Sequence, residues 1–346
     1  MKAVIFTQHG GPEVLTYTDV AEPKPRADEV LVRVRACALN HLDLWIRRGI
    51  PGIQIPMPHA IGHIGGSDIA GEIAATGELV SDIRAGEKIL LQPGVSCGRC
   101  AACLAGNDNL CRKYTLLGYL VNGGYAEYVV APARNVVAMP AGLSFEEAAA
   151  IPLVFLTAWH MLVTRAKLQA GEDVLILGGG SGVGSAGIQI AKVLGARVIA
   201  TVGSEEKAEK TRALGADDVI IHTKENFQAK VKELTAKRGV DVVFEHVGTA
   251  TWPMSIASLA VNGRLVTCGA TTGFDAKIDL RFLFSRHLSI LGSYMASKAE
   301  LFPVLELVAR KLVHPVVDKI FPLAEARAAH ERLESREQFG KIMLKI

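Results

Sequence analysis

Four cysteines lie within fifteen consecutive positions, at Cys97, Cys100, Cys103 and Cys111. Thiolates at this spacing can close around a tetrahedral zinc ion, and four of them leave no coordination position open for a substrate. The spacing therefore predicts one structural zinc per chain. Four unligated thiols in a loop and an iron–sulfur cluster are the alternatives.

A glycine-rich turn is the second group of residues with chemical potential. It follows the apolar run 174–177 and precedes a helical pattern that ends near residue 194. A strand, a glycine turn and a helix together bind a dinucleotide pyrophosphate, because the backbone approaches the phosphates and the helix N-terminus offers free N–H groups. The literal G-x-G-x-x-G match is Gly182, Gly184 and Gly187. The frame that begins where the strand ends is preferred, and it gives as cofactor-binding candidates Gly179, Ser181, Gly182 and Val183. The alternative is a glycine turn that only packs a helix on a sheet.

The end of the next predicted strand, 197–202, indicates the type of nicotinamide cofactor. NAD sites place Asp or Glu there to bind the ribose 2′-hydroxyl, but this chain has Val202 followed by Gly203. Ser204, Lys207 and His222 could bind a 2′-phosphate instead. The sequence therefore favours NADP(H) over NAD(H). The alternative is that Ser204 and Lys207 only cap and solvate the following helix.

The composition is that of a globular protein large enough for two domains. Of 346 residues, 49% are hydrophobic and 21% are charged, and the formal net charge is +3 without a basic run. This argues against a nucleic-acid partner. We find no apolar stretch long enough for a signal peptide or a membrane span, so we expect a cytoplasmic protein without a membrane partner. Cys37 and Cys268 stand alone, which is unlike a disulfide framework.

The secondary-structure pattern changes along the chain. Residues 1 to about 135 carry short β-type runs broken by Gly and Pro, which predict an antiparallel, barrel-like domain. One helix is expected over 145–164, capped by Ser144. A strand is also expected at 340–345, where it could rejoin the first domain. Between them, strands are predicted at 173–177, 197–202, 218–221, 241–244, 264–268 and 288–292, and helices at 182–194, 205–214, 226–237 and 252–260. This alternation predicts a doubly wound parallel sheet.

These motifs resemble one family over essentially the whole chain, the medium-chain dehydrogenase/reductase superfamily. The shared segments are Gly10 to Leu15, Asn40 to Asp43, the cysteine lobe, Leu156 to Trp159, Gly182 to Gly184, Leu214 to Asp217 and Gly263 to Val266. The resemblance implies an α/β protein with two domains. A GroES-like, mostly antiparallel β-barrel catalytic domain would span 1–154 and 296–346 and carry the zinc lobe at about 94–113. A Rossmann domain would span 155–295.

The resemblance also implies that a second, catalytic zinc is missing. Where the zinc alcohol dehydrogenases of this superfamily have cysteine, histidine, glutamate and cysteine, this chain has Asn40, Ser67, Asp68 and Leu153. Leu42 replaces the hydroxyl that would begin a proton relay. An open zinc site needs His, Cys or carboxylate ligands. The substitutions therefore point to the branch of quinone oxidoreductases and enoyl reductases.

Histidines near these positions leave one alternative open. His63 follows Gly62, so a metal site could be rebuilt from His41, His59 and His63 with Asp43 or Asp68. The other interpretation is that these histidines are surface or hydrogen-bonding residues. Cys37 lies three residues from the ligand position, and we expect it to pack in the core.

The resemblance suggests roles for the candidate catalytic residues Asn40, His41 and Asp43. Asn40 would hold the nicotinamide ribose or a substrate oxygen, and Asp43 would brace the loop rather than donate protons. His41 is a candidate acid, with solvent as the alternative proton donor. Thr157 would lie against the nicotinamide, and Gly269 is included among the cofactor-binding candidates. The apolar loop 45–57 would line a hydrophobic pocket.

The sequence thus predicts an NADP(H)-dependent reductase of quinones or α,β-unsaturated carbonyl compounds that transfers hydride directly, without catalytic zinc. Its partner would be a small hydrophobic electrophile. Residues 281–295 resemble the edge at which family members pair their sheets, so a homodimer or homotetramer is expected. The alternatives are an alcohol dehydrogenase with a rebuilt metal site and a non-catalytic NADPH-binding sensor or structural protein.

Overall fold

The computed structural model describes residues 1–55 and 62–346, which form two compact units. Unit 1 comprises Met1–Leu153, Ser297–Ala309 and Pro315–Ile346, and unit 2 comprises Val154–Ala296 and Arg310–His314.

The strands of the described residues are numbered in chain order. They are β1 (Lys2–Phe6), β2 (Thr16–Asp19), β3 (Glu29–Ala38), β4 (His63–Ile64), β5 (Asp68–Thr76), β6 (Lys88–Leu91), β7 (Gly94–Val95), β8 (Thr115–Leu116), β9 (Tyr128–Pro132), β10 (Val136–Ala138), β11 (Asp173–Ile176), β12 (Arg197–Val202), β13 (Asp218–Ile221), β14 (Val240–Glu245), β15 (Leu259–Thr267), β16 (Ser289–Gly292), β17 (Val317–Pro322) and β18 (Lys341–Lys345).

The α-helices are numbered in the same way, and short 3-10 or π turns connect several elements. The helices are α1 (His41–Arg48), α2 (Ala101–Leu104), α3 (Phe145–Ala149), α4 (Pro152–Trp159), α5 (Gly182–Val193), α6 (Glu205–Ala213), α7 (Phe227–Leu234), α8 (Trp252–Ala257), α9 (Leu280–Ser285), α10 (Leu301–Ala309) and α11 (Ala326–Glu334). The turns are Pro12–Val14, Asp108–Leu110, Ala133–Asn135, His160–Arg165, Lys298–Glu300 and Leu323–Glu325. None of the helices in the described part of the chain has the length and apolar character needed to cross a bilayer.

Unit 1 is built on a mostly antiparallel sheet with the strand order β10-β6-β5-β3-β18-β17, and β9 also pairs with β3. A smaller sheet has the order β2-β1-β4, and β7 pairs with β8. The apolar side chains of these strands pack into one core, which includes Val32, Ile69 and Leu344. The barrel-like, antiparallel domain predicted from the short β-type runs is therefore confirmed.

The strand registers of unit 1 determine which ends meet. Ala38 at the end of β3 pairs with Asp68 at the start of β5. On the other side of β3, Met343 of β18 pairs with Ala38. The chain's last strand therefore lies beside β3, and its first residue, Lys341, reaches the segment that follows Ala38.

Unit 2 is a six-stranded parallel sheet with the order β13-β12-β11-β14-β15-β16 among the described residues. The order reverses at β11, so this is the doubly wound sheet predicted from the sequence. The central strands are buried on both faces, with Val174, Leu175 and Ile176 at 0% exposure. This is why they read as continuous apolar runs rather than as alternating patterns.

Two expectations from the sequence are wrong. The single helix at 145–164 is broken into α3, α4 and a π turn, because Pro152 disfavours helical backbone at the residue before it. Residues 310–314, which the sequence assigns to the first domain, belong to unit 2. There Gln189 of α5 donates to the carbonyl oxygen of His314 at 3.0 Å and accepts from its N–H at 2.9 Å.

Candidate functional site

Asn40 and Asp43, two of the candidate catalytic residues, lie where the chain turns from β3 into α1. The Asn40 N–H donates to Asp43 Oδ2 at 2.6 Å, and the Gly66 N–H donates to Asp43 Oδ1 at 3.1 Å. Both carboxylate oxygens of Asp43 therefore bind backbone N–H groups. This arrangement fits the expectation that Asp43 braces the loop.

Glycine is required at position 66 for this bracing. Gly66 has φ +94°, and a Cβ there would lie 2.5 Å from Tyr125 Cδ1 and 2.7 Å from Cys37 Sγ. A side chain at this position would push the Gly66 N–H away from Asp43.

Burial sets the protonation of this region. It raises the pKa of Asp43 to about 6, against the opposing effect of the donated N–H bonds and of Lys341. Burial also raises the pKa of the Cys37 thiol well above its ordinary value, and nearby Asp43 and Asp68 add to the effect. Cys37 is fully buried among apolar side chains, so it packs in the core as expected.

Asp68 and Lys341 complete a buried polar cluster with Asn40, which we call the Asn40–Asp68–Lys341 cluster. Asn40 Nδ2 donates to Asp68 Oδ2 at 2.9 Å. Lys341 Nζ donates to Asn40 Oδ1 at 2.5 Å and to Asp68 Oδ2 at 2.9 Å. The side chains of Lys341 and Asp68 are 4% and 0% exposed. A lysine ammonium group is therefore inserted among residues that the resemblance aligns with zinc ligands.

The other two aligned positions are also engaged within unit 1. The Leu153 N–H donates to Asp68 Oδ1 at 2.7 Å, and the Ser67 hydroxyl donates to the Leu117 carbonyl at 2.7 Å. Both oxygens of Asp68 thus accept from N–H groups. The hydrogen bonds of the four aligned residues thus run to one another, to Lys341 or to the backbone.

The histidines take separate positions. His63 is buried, its Nε2 lies 3.0 Å from the Gly118 carbonyl oxygen, and its ring packs edge-on against Phe6. His41 begins α1, and its ring centroid lies 6.5 Å from that of Trp45. His59 lies outside the described residues. Of the loop 45–57, the structure describes residues up to 55, and Ile55 is buried in the unit 1 core.

The four cysteines converge as predicted. Their sulfur atoms lie within 4.8 Å of one another, and they are the one group of three or more potential metal ligands among residues 1–55 and 62–346. Cys97 and Cys103 are 3.9 Å apart, and Cys100 and Cys103 are 3.5 Å apart, sulfur to sulfur. A tetrahedral centre with Zn–S bonds of about 2.3 Å requires sulfur separations of about 3.8 Å. The donor set and its spacing therefore fit zinc.

Backbone geometry prepares the cysteine lobe for an ion. Gly98 and Gly106 have positive φ angles of 72° and 77°, which glycine adopts readily and which allow tight turns between the ligands. N–H groups of Arg99 and Cys100 donate to Cys97 and lower its pKa to about 6. The lobe is anchored to the later part of unit 1, because the Lys298 N–H donates to Asp108 at 2.8 Å.

The glycine turn lies at the carboxyl end of β11 in unit 2. Gly178 has φ +59°, and helix α5 begins at Gly182 with Ser181 as its N-cap. The Ser181 hydroxyl accepts from the Gly184 N–H at 3.0 Å. The turn thus presents the start of a twelve-residue helix, the position at which backbone N–H groups bind phosphate.

The glycines of this turn have packing roles. A Cβ at Gly184 would lie 2.3 Å from the Gly178 carbonyl oxygen, and a Cβ at Gly179 would lie 3.2 Å from Ala200, Ile188 and Thr211. A Cβ at Gly187 would lie 3.3 Å from Phe244 of β14. Gly184 therefore has no room for a side chain, whereas a Cβ at Gly179 or Gly187 would require its neighbours to shift by a few tenths of an ångström.

The residues predicted to bind a 2′-phosphate gather at the ends of neighbouring strands β12 and β13. Ser204 caps α6 by accepting from the Lys207 N–H at 3.3 Å. The His222 ring lies 3.7 Å from the Cβ position of Gly203. Val202, at the end of β12, is 2% exposed and belongs to an apolar cluster. The strand end thus carries an apolar residue and a glycine, with a hydroxyl and a histidine close by.

Thr157 and Gly269 lie elsewhere in unit 2. Thr157 is a buried residue of α4, and Gly269 follows β15, where its carbonyl oxygen accepts from Thr267 at 3.2 Å. The sequence interpretation missed Glu245, the last residue of β14. Its carboxylate accepts from the Gly248 N–H at 2.9 Å and from Ser255 at 2.6 Å. It therefore organises the loop that follows β14.

Sequence reasoning also missed Lys341 and a second buried polar group around Arg47. Arg47 Nη1 lies 3.1 Å from His330 Nδ1, and Arg47 also binds Glu334. A guanidinium only donates, so His330 Nδ1 accepts and the proton resides on Nε2. Lys341 precedes the apolar run Ile342, Met343 and Leu344, whereas Arg47 follows Trp45 and Ile46 and is itself followed by Arg48.

Two family models match the chain. An alcohol dehydrogenase GroES-like domain matches residues 26–141, and a zinc-binding dehydrogenase domain matches residues 182–310.

Relatives of the whole chain are also found. The quinone oxidoreductase of Sus scrofa is 31% identical, covering 99% of this chain and 97% of that protein. The crystal structure of an NAD-dependent alcohol dehydrogenase is 46% identical, covers 100% of both chains and has a TM-score of 0.95. A crotonyl-CoA carboxylase/reductase in complex with NADP is 26% identical, covers 100% of this chain and 95% of the other, and has a TM-score of 0.92. All three are oxidoreductases by name, and they differ in the named cofactor and substrate.

Proposed function

This chain belongs to the medium-chain dehydrogenase/reductase superfamily and is an NAD(P)H oxidoreductase, and we propose that it reduces quinones or α,β-unsaturated carbonyl compounds with NADPH and without catalytic zinc. The Asn40–Asp68–Lys341 cluster is the observation that carries this proposal. An acceptor that is already electrophilic does not need a metal ion to polarise it.

The chemistry of the cluster argues against a second zinc. An ammonium ion already neutralises Asp68, and both Asp68 oxygens accept hydrogen bonds from protein N–H groups. The neighbouring Ser67 hydroxyl is committed to the Leu117 carbonyl. A zinc ion would have to displace the Lys341 ammonium and would gain amide and hydroxyl oxygens, which are poor ligands beside His or Cys.

The bound dinucleotide would supply the hydride. This chain's own residues would hold and orient the reactants: the turn 178–184 for the pyrophosphate, Thr157 and Gly269 for the nicotinamide part, and Asn40 for a carbonyl oxygen. Asp43 keeps the Asn40 loop in place through two backbone N–H bonds. His41 at the start of α1 is the candidate proton donor, with solvent as the alternative.

NADPH is favoured over NADH by the end of β12. No carboxylate follows Val202 directly, and the first acidic residues of α6 have cationic partners: Glu205 pairs with Lys224 at 2.6 Å, and Glu206 pairs with Lys210 at 2.6 Å. Ser204, Lys207 and His222 would bind the 2′-phosphate.

Dissociation constants for NADPH and NADH, measured by fluorescence titration, test the cofactor. We expect NADPH to bind more tightly, and Lys207→Ala to weaken NADPH binding about tenfold while leaving NADH unchanged, since a lost charge-assisted contact costs about 1.5 kcal/mol. Lys210→Ala, on the same helix, is the matched control. A wild-type preference for NADH would overturn the choice.

The four-cysteine lobe would hold one structural zinc. All four ligands would be thiolates, so no open position would remain for a substrate. Its role would be to fix the loop 97–111 against the rest of unit 1.

A second candidate function is an alcohol dehydrogenase with a rebuilt metal site, favoured by the 46% identity to an NAD-dependent alcohol dehydrogenase. Metal analysis together with two assays separates the candidates. The assays are NADPH consumption with a quinone or an enal, and alcohol-driven reduction of NADP⁺ or NAD⁺, each with and without a chelator.

We expect one zinc per chain, turnover of the electrophile and no alcohol oxidation. His63→Gln should leave the metal content unchanged. Two zinc ions per chain, with alcohol oxidation that the chelator and His63→Gln abolish, would establish the dehydrogenase instead. Tight NADPH binding without turnover of any electrophile would favour the non-catalytic sensor or structural protein.

A further inference from the structure

Lys341 is a buried lysine whose three N–H bonds all have protein acceptors. Nζ donates to the Leu39 carbonyl at 2.7 Å, to Asn40 Oδ1 at 2.5 Å and to Asp68 Oδ2 at 2.9 Å. Lysine is almost never fully buried unless it is paired. At the other end of the same strand, the Lys345 side chain is 67% exposed. Of the two lysines at the ends of β18, one is therefore buried and the other is exposed to solvent.

The partners of Asn40 dictate the orientation of its amide. An ammonium can only donate, and a carboxylate can only accept. Oδ1 must therefore face Lys341, and Nδ2 must face Asp68, as the distances of 2.5 and 2.9 Å show. A flipped amide would place NH₂ against the ammonium and the carbonyl oxygen against the carboxylate. Asn40 Nδ2 carries two N–H bonds, and Asp68 Oδ2 accepts from one of them.

The same contact polarises the amide. When the amide oxygen accepts from a cation in a low-dielectric setting, electron density shifts toward oxygen and the N–H bonds become stronger donors. Asn40 is 6% exposed, so water screens this effect little. Lys341 can therefore make the second Asn40 N–H a stronger hydrogen-bond donor without itself contacting the acceptor.

We propose that Lys341 is a positioning residue that orients and polarises the Asn40 amide, so that its second N–H stabilises the negative charge that forms on a substrate carbonyl oxygen. This inference rests on the proposed reduction of quinones or α,β-unsaturated carbonyls. In this inference the buried Lys341 ammonium, acting through the Asn40 amide, provides the charge stabilisation that a metal ion would otherwise provide.

In the two-electron reduction, the bound dinucleotide would supply a hydride and be oxidised. The hydride would form a C–H bond at the electrophilic carbon, the conjugated π electrons would move to the carbonyl oxygen, and a solvent proton would complete the product. The Asn40 N–H donates a hydrogen bond to that oxygen throughout, and Lys341 keeps its proton. Donors aimed at a developing oxyanion act mainly on kcat.

Steady-state kinetics of Lys341→Met, with NADPH and an enone or a quinone, test the proposal. Removing one direct oxyanion donor costs about 10²–10³ in kcat, and a residue that acts through the donor should cost about 10–100-fold. The NADPH dissociation constant should stay within about threefold, and Lys341→Arg should recover part of kcat because it keeps the charge. Lys345→Met is the matched control on β18 and should leave kcat unchanged.

A second comparison separates positioning from folding. Lys341→Met alone leaves the Asp68 carboxylate buried without its cation, which destabilises the fold. The double variant Lys341→Met/Asp68→Asn removes both charges. It should recover the unfolding midpoint but not kcat. Recovery of both would mean that Lys341 serves only the fold, and would overturn the proposal.

Dependence on Asn40 gives the last control. In an Asn40→Ala background, Lys341→Met should change kcat by less than about threefold, because the group through which it acts is already gone. An undiminished effect there would also overturn the proposal. Failure of the proposed function has a different signature: the wild-type protein would then reduce no quinone or enone at all.

Discussion

Gly184→Ala tests whether the glycine turn of unit 2 is the dinucleotide site. The added Cβ would lie 2.3 Å from the Gly178 carbonyl oxygen and 2.9 Å from Ser181 Oγ. An ordinary contact needs about 3.4 Å, so the Gly178 carbonyl must retreat by about 1 Å. That carbonyl also accepts from the Ser181 N–H at 2.9 Å. The substitution therefore distorts the segment whose N–H groups would face the pyrophosphate.

Two opposing effects decide the size of the change. Alanine is favoured over glycine within a helix by about 1 kcal/mol, whereas overpacking against a well-packed neighbour costs about 1–3 kcal/mol. The contact is with backbone rather than with a flexible side chain, so we expect the cost to prevail and the unfolding free energy to fall by about 1–2 kcal/mol. Dinucleotide affinity should fall at least about tenfold, the equivalent of one misaligned hydrogen bond.

Chemical unfolding and fluorescence titration with NADPH measure the two effects. Gly292→Ala is the matched control, because nothing lies within 4 Å of its Cβ position in β16. It should change stability by less than about 0.5 kcal/mol and leave affinity unchanged. If Gly184→Ala binds NADPH as tightly as the wild-type protein and unfolds at the same denaturant concentration, the assignment of this turn to the cofactor is refuted.

Three further predictions concern the zinc lobe, cofactor choice and acid stability. Cys111→Ser should lower bound zinc from about one per chain to a small fraction in elemental analysis, because one of four thiolates is lost; unchanged zinc would contradict the site. Gly203→Asp, whose Cβ has room at 3.7 Å from His222, should weaken NADPH binding about 100-fold relative to NADH, as expected for a carboxylate about 5 Å from a phosphate; an unchanged ratio of dissociation constants would place the 2′-phosphate elsewhere. Burial, with Arg47 nearby, lowers the pKa of His330 from 6.5 to about 3. Between these pH values His330 binds a proton in the unfolded chain but not in the folded chain. Stability therefore falls as pH drops from about 6.5 toward 3. His330→Gln should flatten that slope in unfolding midpoints measured across this pH range; an unchanged slope would exclude His330 as its source.

Asp43 has the opposite linkage to pH. Its folded pKa of about 6 lies above the ordinary value of 3.8, so the folded chain binds a proton more readily than the unfolded chain between these values. Its contribution to stability is present below pH 3.8 and is lost as pH rises through 6. The effects of Asp43 and His330 on stability therefore oppose one another over part of the acid range. Substituting one of these residues should reveal the pH dependence that the other causes.

The architecture of unit 2 was predictable because its central strands are buried on both faces and read as apolar runs between helical segments. The predicted strand 197–202 coincides with β12, and the predicted helix 182–194 differs from α5 by one residue. The prediction of one helix over 145–164 was wrong. The periodic apolar pattern continues through Pro152, but the restriction that this proline places on the backbone before it ends α3. Local steric effects prevailed over periodicity there.

The candidate site was only partly predictable. Asn40 and Asp68 were identified through matching family motifs, and the four cysteines through their spacing alone. Lys341 was missed because 273 residues separate it from Asp68, and no periodic pattern reports which side chain meets another at that distance. The pairing of β18 with β3 determines the contact, and this register becomes known only with the fold.

The insertion of β18 between β3 and β17 has a consequence for how the protein is made. The five residues of β18 complete a sheet whose other strands, β17 excepted, lie within the first 138 residues. During translation, the N-terminal strands leave the ribosome long before β18 is made. The edge of β3 therefore stays unpaired until most of the polypeptide has been synthesised. A variant that lacks residues 341–345 would leave that edge open, so it should be aggregation-prone rather than only slightly less active.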